Sequence, residues 1–408
     1  MTDRLRVLLL IPHLGGGGAE QVTALLARGL PSRKFDIHLG LVTQQAGPIG
    51  ALSPPVSVHA LGATRIRYGA FRILRLVWRL RPNVILSGMA HLNFLVLLMR
   101  PLFPRRTVVI VRQNTTVSAA VATSALPWWT RWLYRTLYLF ADRIVCQSRA
   151  MADDLRAVTG IAVKRLVVLP NPIDLERIRG GADPALWPSL GPNLLAIGRL
   201  AHEKGFDLLL RSFALIRRDF PHAGLVILGE GPEEPSLKQL AGELGLLDAV
   251  RFPGHVSAPW SFYAGASLFV LSSRHEGLPN ALVEALAGDL PVVATPASGG
   301  VVDLLTGRPR AWLAHTASVD ALYLAIHAAL EELEADSSFD QRSQPYKAAH
   351  ERLKSHNSLS KPTSRPIARS GEGPRERRYT EYAGEFEFER AFEAYEALID
   401  AVAAETRP

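Results

Sequence analysis

The sequence predicts an α/β chain of two Rossmann-like domains, each built on a parallel sheet. Three observations predict it. Short, nearly continuous apolar runs such as RVLLLIP (6–12) and RTVVIVRQ (106–113) read as strands buried on both faces, hence parallel strands covered by helices. These runs alternate with longer stretches of helical periodicity, the order of βαβ crossovers. The alternation breaks in a Pro-rich stretch near residue 180 and starts afresh at NLLAIGRL (193–200). A chain of 408 residues, 48% hydrophobic and 21% charged, is long and apolar enough for two cores of ordinary size.

RVLLLIP is the first strand, and GGGGAE (15–20) follows it before a helix running to about Leu30. Strand, glycine loop and helix N-terminus together let backbone approach an anion. The loop lacks the Lys-Ser/Thr of a P-loop and the spacing of a dinucleotide fingerprint, so on its own a plain glycine turn with no ligand explains it better. DIHLGLVT, RPNVILSG, RTVVIVRQ and DRIVCQS continue the sheet, and the loops at their C-terminal ends are where such sheets bind ligands. Two of those loops carry polar groups, His91 after one strand and Arg112-Gln113-Asn114 after the next. A lone His at a helix start also reads as a cap or a surface residue. RIRYGAFRILRLVWRLR (65–81) threads six arginines through apolar residues, and PWWTRWLYRTLYLF (127–140) is aromatic and Arg-bearing. Such helices suit an anionic membrane surface, or have an ordinary core stripe with a solvated Arg face.

VVLPNPIDLERI (167–178) contains Pro-Asn-Pro, a strong loop marker, and GADPALWPSLGP reads as the linker after it. The second sheet opens with NLLAIGRLAHEKGFDLLLRSF, in which Arg199 and Lys204 stand five apart. Two cations at a strand end and beside a helix N-terminus can clamp a diphosphate, although surface loops often carry both. GLVILGEGP, VRFPGHVS and SLFVLSS supply further strands and turns. The chain is organised around SRHEGLPNALVEALAGDLPVVA (273–294), where seven residues separate Glu276 from Glu284. Gly277 suits a tight turn, Pro279 the first helical position, and Glu276 lies just before the helix, beside its orphan N–H groups. Glu284 is the only charge from Asn280 to Gly288 in an otherwise apolar helix. A buried carboxylate there needs a donor, from a structural Arg or Lys or from a ligand.

Composition narrows the classes. One cysteine, Cys146, excludes an internal disulfide and fits a reducing cytosol. The apolar run Val7–Ile11 is too short for a signal peptide, and no run approaches the ~20 apolar residues of a membrane span. A net charge of +8 favours anionic partners, but the basic residues frame no nucleic-acid module, so no nucleic acid is expected. Neither a His/Cys cluster nor an Asp-x-Asp pair at a strand end offers metal ligands. Residues 335–381 are polar and basic without periodicity and read as a disordered insertion. EFEFERAFEAYEALIDAVAA then regains helical periodicity.

The stretch EGLPNALVEALAGDLPVVA, with GRLAHEKG (198–205), GEGP, NPID and the GG-containing loop through Glu20, resembles the retaining GT-B glycosyltransferases of glycosyltransferase family 4. The resemblance runs from about residue 6 to 334 and thins at PRAWLAHTASVD, where the usual last-strand motif is missing. It implies the GT-B architecture: an acceptor-side domain (1–180), a nucleotide-sugar domain (190–334) and a C-terminal helix (382–408) crossing back onto the first domain. The implied activity is sugar transfer with retention, from a UDP- or GDP-sugar as substrate to a hydroxyl of a glycan or lipid-linked acceptor, without cofactor or metal. By the same resemblance, Arg199 and Lys204 stabilise the leaving diphosphate, Glu284 takes the ribose hydroxyls and Glu276 orients the donor hexose. His91 meets the transferred sugar, His255 lies beside the base, and Gly16 and Gly17 face the phosphates. Gly277, Leu278, Pro279 and Asn280 line the donor site, with the backbone N–H groups after Pro279 directed at the diphosphate. The setting expected is cytoplasmic, peripheral on the inner membrane face, in envelope polysaccharide or glycolipid synthesis. Two rivals remain: a nucleotide-sugar epimerase of the same architecture, and a non-catalytic binder of anionic lipid or nucleic acid.

Overall fold

The computed structural model describes residues 4–15, 17–43, 56–122, 124, 126–173, 186–188, 191–256, 259–335 and 388–405. The first half forms β1 (Leu5–Ile11), α1 (Gly18–Gly29), β2 (Phe35–Thr43), β3 (Ser57–Ala63), α2 (Ala70–Leu80), β4 (Val84–Ser87) and α3 (Ala90–Leu98). It continues with β5 (Val108–Gln113), α4 (Val117–Ala122), α5 (Pro127–Leu137), β6 (Arg143–Cys146), α6 (Arg149–Thr159) and β7 (Leu166–Val168). These strands make one seven-stranded sheet, ordered β3-β2-β1-β4-β5-β6-β7, with every pairing parallel. β3 and β7 are additional to the strands read from sequence. Both are edge strands; SVHALGA is largely exposed and LVV spans three residues, so neither carries the continuous apolar run of a central strand.

The second half forms β8 (Asn193–Ile197), α7 (Phe206–Asp219), β9 (Gly224–Leu228), α8 (Glu234–Glu243), β10 (Val250–Gly254), α9 (Trp260–Gly265) and β11 (Leu268–Leu271). α10 (Asn280–Ala287), β12 (Val292–Ala294), α11 (Gly299–Leu305), β13 (Ala311–Leu313) and α12 (Val319–Ala335) complete it. Its six strands run β10-β9-β8-β11-β12-β13, again all parallel. PRAWLAHTASVD, where the family pattern thins, thus still supplies an edge strand at Ala311–Leu313. In the linker stretch, Trp187 is buried against Phe262 and anchors that end of the chain in the second core. The reading of 335–381 as disordered falls, apart from Ala335, outside the described residues.

Each sheet is covered on both faces. Leu8, Leu10, Ile85 and Val109 point into a core shared with α2, α3, α5 and α6. Val7, Leu9, Ile11 and Ile110 point to the opposite face, under α1 and the last helix, α13 (Phe388–Glu405). α13 packs Phe392, Tyr395, Ile399 and Val402 into that core, and Lys34–Glu396 and Arg143–Glu405 ion pairs flank it. Gly29 of α1 gives up its side chain to this packing, because a Cβ there would overlap the Phe392 ring. Replacing a fully packed Phe by Ala typically costs about 3–5 kcal/mol. Phe392→Ala should therefore shift the first domain's urea transition by about that amount, read by fluorescence and circular dichroism, while the second domain's transition stays put.

Candidate active site

In both sheets the strand order reverses between the first strand and the strand after its crossover, β1 next to β4 and β8 next to β11. A crevice opens beyond the strand C-termini at such a point. The singled-out residues gather there: Gly17 after β1, His91 after β4, Arg199 and Lys204 after β8, and Glu276 after β11. The two crevices face each other across the interdomain cleft.

On the second domain, β8 ends at Ile197 and the chain passes through Arg199 into a short 3-10 turn, His202–Lys204. Gly205 then takes φ +62 and starts α7; a Cβ there would overlap the Ser272 carbonyl oxygen. Glycine is needed at Gly205 on both counts. Lys204 Nζ donates to Glu276 Oε1 at 2.6 Å, and Ser273 Oγ donates to the same oxygen at 2.7 Å. Among the described residues Oε2 of Glu276 has no partner, and the exposed Arg199 side chain has none either. The two loops are locked together by Arg274, which grips Asp207 with both guanidinium nitrogens at 2.8 and 2.7 Å. Arg274 beside it holds the Asp207 carboxyl below its usual range against the opposing effect of burial. The GEGP turn closes on the same loop: the Leu200 N–H donates to the Glu230 carbonyl at 2.9 Å. Gly229, at φ +132, has no room for a Cβ against the Gly198 carbonyl oxygen. His255 is exposed beside this turn, its backbone N–H donating to Glu230 Oε1 at 3.2 Å.

The helix reading needs two corrections. Pro279 is the N-cap of α10, in extended conformation, and the first helical residue is Asn280. Gly277 does not serve a left-handed turn; a Cβ there would overlap the Asn114 carbonyl oxygen of the first domain. Its requirement is close approach between domains. The Leu278 N–H is already engaged, donating to Gln147 Oε1 at 3.2 Å, and the Leu278 side chain is buried. Gln147 in turn donates to Asn114 Oδ1 at 3.1 Å, and Asn114 donates to the Gly88 carbonyl. A second chain of bonds runs from Tyr395 through Arg112 Nε (2.9 Å), from Arg112 to Asn171 Oδ1 (2.5 Å), and from Asn171 to Asn280 Oδ1 (2.6 Å). Asn280 then donates to the Gly18 carbonyl at 3.1 Å.

On the first domain His91 is exposed in the first turn of α3, without a described partner. Gly17 is the N-cap of α1; Gly16 lies outside the described residues. Glu20, nearly buried beneath this loop, stands 3.7 Å from His13 Nδ1. His13 was not singled out from the sequence, although its place just before GGGGAE was visible.

Glu284 is partly covered at the second domain's surface, and its donor is neither Arg nor Lys but Tyr263 of α9, whose hydroxyl reaches Oε2 at 2.8 Å. Burial pushes the Glu284 carboxyl up to about 7, only partly offset by that hydrogen bond. Between the ordinary value of 4.5 and about 7 the folded protein keeps a proton that the unfolded chain has lost. Stability therefore falls as pH rises through that window, and the cost is complete above it. Glu284→Gln should match the parent below pH 4.5 and be more stable at pH 8, by up to about 3 kcal/mol. Urea denaturation at the two pH values measures the difference; equal stability at pH 8 would remove the buried-carboxyl account.

Two family models match the chain: "Glycosyltransferase Family 4" over residues 16–177 and "Glycosyl transferases group 1" over residues 186–349. The N-acetylgalactosamine-N,N'-diacetylbacillosaminyl-diphospho-undecaprenol 4-alpha-N-acetylgalactosaminyltransferase of Campylobacter jejuni is 28% identical, over 85% of this chain and 96% of its own. The amylovoran biosynthesis glycosyltransferase AmsD of Erwinia amylovora is 23% identical, over 74% of this chain and 83% of its own. Among solved structures, Anabaena HepE in complex with UDP and glucose superposes with a TM-score of 0.68 at 18% identity, covering 86% of this chain and all of that one. With two facing parallel sheets of matching order and both halves matched by these models, the chain is a GT-B-fold glycosyltransferase related to the group 1 and family 4 glycosyltransferases.

Proposed function

We propose that the protein transfers a hexosyl or N-acetylhexosaminyl group from a UDP- or GDP-sugar, with retention and without a metal ion, to a hydroxyl of a glycan or lipid-linked acceptor. The observation that carries this reading is the charge arrangement at the second sheet's crevice. Among the described residues Arg199 is exposed and unpaired, Lys204 is held only by Glu276, and the N-terminus of α10 adds unpaired N–H groups nearby. Among the described residues no three His, Cys, Asp or Glu side chains converge as metal ligands. The named Campylobacter relative acts on a diphospho-undecaprenol-linked sugar, and HepE was captured with UDP and glucose; both fit a nucleotide donor here, and the former a lipid-linked acceptor.

In this reading the diphosphate bridges Arg199 and Lys204. The free Oε2 of Glu276 accepts from a hexose hydroxyl, Glu284 accepts from the ribose, and His255 stands beside the base. His91 approaches the transferred sugar from the opposite wall, and the α1 N-terminus at Gly17 faces the phosphates. The bond from the anomeric carbon to the phosphate oxygen breaks, and one to the acceptor oxygen forms on the same face. The acceptor's proton leaves on a phosphate oxygen of the departing nucleoside diphosphate.

Removing one stabilising donor from a site of developing negative charge typically costs about 100-fold or more in turnover. Lys204→Ala should lower turnover by at least about that factor, and donor consumption should survive exhaustive EDTA treatment. Activity lost with EDTA and restored by magnesium or manganese would overturn the metal-free mechanism. Since a ribose hydroxyl donates more strongly to the ionised form of Glu284 than to the neutral one, nucleotide affinity should rise from pH 6 to 8 in the parent by more than in Glu284→Gln, by calorimetric titration.

A further inference from the structure

Residues 37–141 contain twelve arginines and neither Asp nor Glu, although the chain as a whole carries 38 acids in 408 residues. The fold brings much of this stretch to one face of the first sheet. α2, α3 and α5 share one core. Trp78 of α2 donates to the Leu102 carbonyl just beyond α3 at 3.0 Å, and Phe94 of α3 meets Tyr134 of α5 edge-on at 4.9 Å. Large apolar side chains stand out from this layer: Phe71 is 74% exposed, Trp128 69%, Leu98 63% and Leu102 57%. Trp129 and Trp132 stack at 4.8 Å on the exposed side of α5. Among the described residues Arg67, Arg72, Arg75, Arg79, Arg131 and Arg135 are exposed and form no ion pair. The opposite face of the sheet is covered by α1 and α13.

We propose that this face, formed by α2, the end of α3 and α5, is a docking surface for an anionic lipid bilayer. Tryptophan and phenylalanine tips enter the interfacial zone while arginines beside them meet acidic headgroups. A second copy of this chain is a poor occupant, since a face-to-face pair would set unpaired arginines against arginines. Nucleic acid would leave Leu98 and Leu102 without a role, because aliphatic tips offer bases no stacking surface. The surface also reaches the cleft: α3 carries His91 in its first turn beside the first crevice and ends at Leu98 in the apolar face. α5 must lead back to the start of β6, so its Trp128 end lies toward the cleft side. Docking therefore holds the acceptor-side wall near the lipid surface. The docking is separate from the transfer reaction proposed above, and vesicle binding tests it without turnover.

The test is co-sedimentation of the full chain with vesicles of phosphatidylcholine alone or with about a third phosphatidylglycerol. Binding is expected to the mixed vesicles, with release by about 0.5 M salt. The double variant Phe71→Ser/Trp128→Ser, and separately Arg72→Glu/Arg75→Glu, should each weaken binding at least about tenfold. Both should keep the parent's thermal stabilisation by UDP, which shows that fold and donor site survive. The proposal is overturned by equal binding to neutral vesicles, by no binding to mixed ones, or by variants that bind like the parent. A lipid-free dimer that Trp128→Ser dissociates, or displacement from vesicles by an oligonucleotide that the Ser variants still bind, would assign the face to another partner and also overturn it. Vesicle binding without sugar transfer would instead leave docking intact and remove the transferase reading.

Discussion

Gly277 and Asn114 bring two domains together as backbone against backbone. A loop of the second sheet and a loop of the first approach so closely that only a residue without a Cβ fits. From this contact follow the bonds around it: Asn114 to Gly88, Gln147 to Asn114, and the Leu278 N–H to Gln147. Helix termini are equally tight, with Gly299 and Gly300 of α11 against Ala150 and Ser148 at the start of α6. All of these ties lie at strand C-terminal ends, where unpaired helix N–H groups also collect. The two walls are thus tied by a glycine against a backbone carbonyl and by the short amide side chains of Asn114 and Gln147.

Polar groups concentrate under that contact. Arg112 is fully buried, and among the described residues it is bonded to neutral partners only and its Nη1 has no partner. Ser87 Oγ and Asn93 Oδ1, in the same layer at the C-terminal ends of the central strands, are likewise unpaired by protein. Each such group costs about 1–3 kcal/mol when left unmet, and the rest of the sheet, apolar on both faces, sustains them. Lys204 differs: it is pinned by Glu276, which is in turn oriented by Ser273. At the cleft, Lys204 is thus held by a charged partner, whereas Arg112 is held by an amide and a hydroxyl.

Periodicity exposed the sheets because central strands buried on both faces leave unbroken apolar runs, as in RVLLLIP and VILS. Edge strands β3 and β7 escaped because one side of each meets solvent. The glutamates and the Arg-Lys pair were legible because each motif lies within one strand-loop-helix unit. Contacts that join distant segments were not. Tyr263 stands 21 residues before the Glu284 it serves, on another helix, and Asn171 meets Asn280 across 109 positions. Gly277 was noticed for the turn, and the chain does bend there, but not for its close approach to Asn114, since a glycine that allows a turn and one that admits a neighbouring backbone look alike in one dimension. Pro279 likewise suits either of two adjacent positions at a helix start.

The last helix gives the order of synthesis a structural meaning. α13 supplies Phe392, Tyr395, Ile399 and Val402 to the core under β1 and β5, and Tyr395 supplies a partner to buried Arg112. When the ribosome has finished the second sheet, the first-made domain still lacks that wall and presents an open apolar face. Domains are generally expected to fold in the order they emerge, but here the earlier one is completed after the later one. The nascent chain thus carries this unfinished apolar face until α13 has been made.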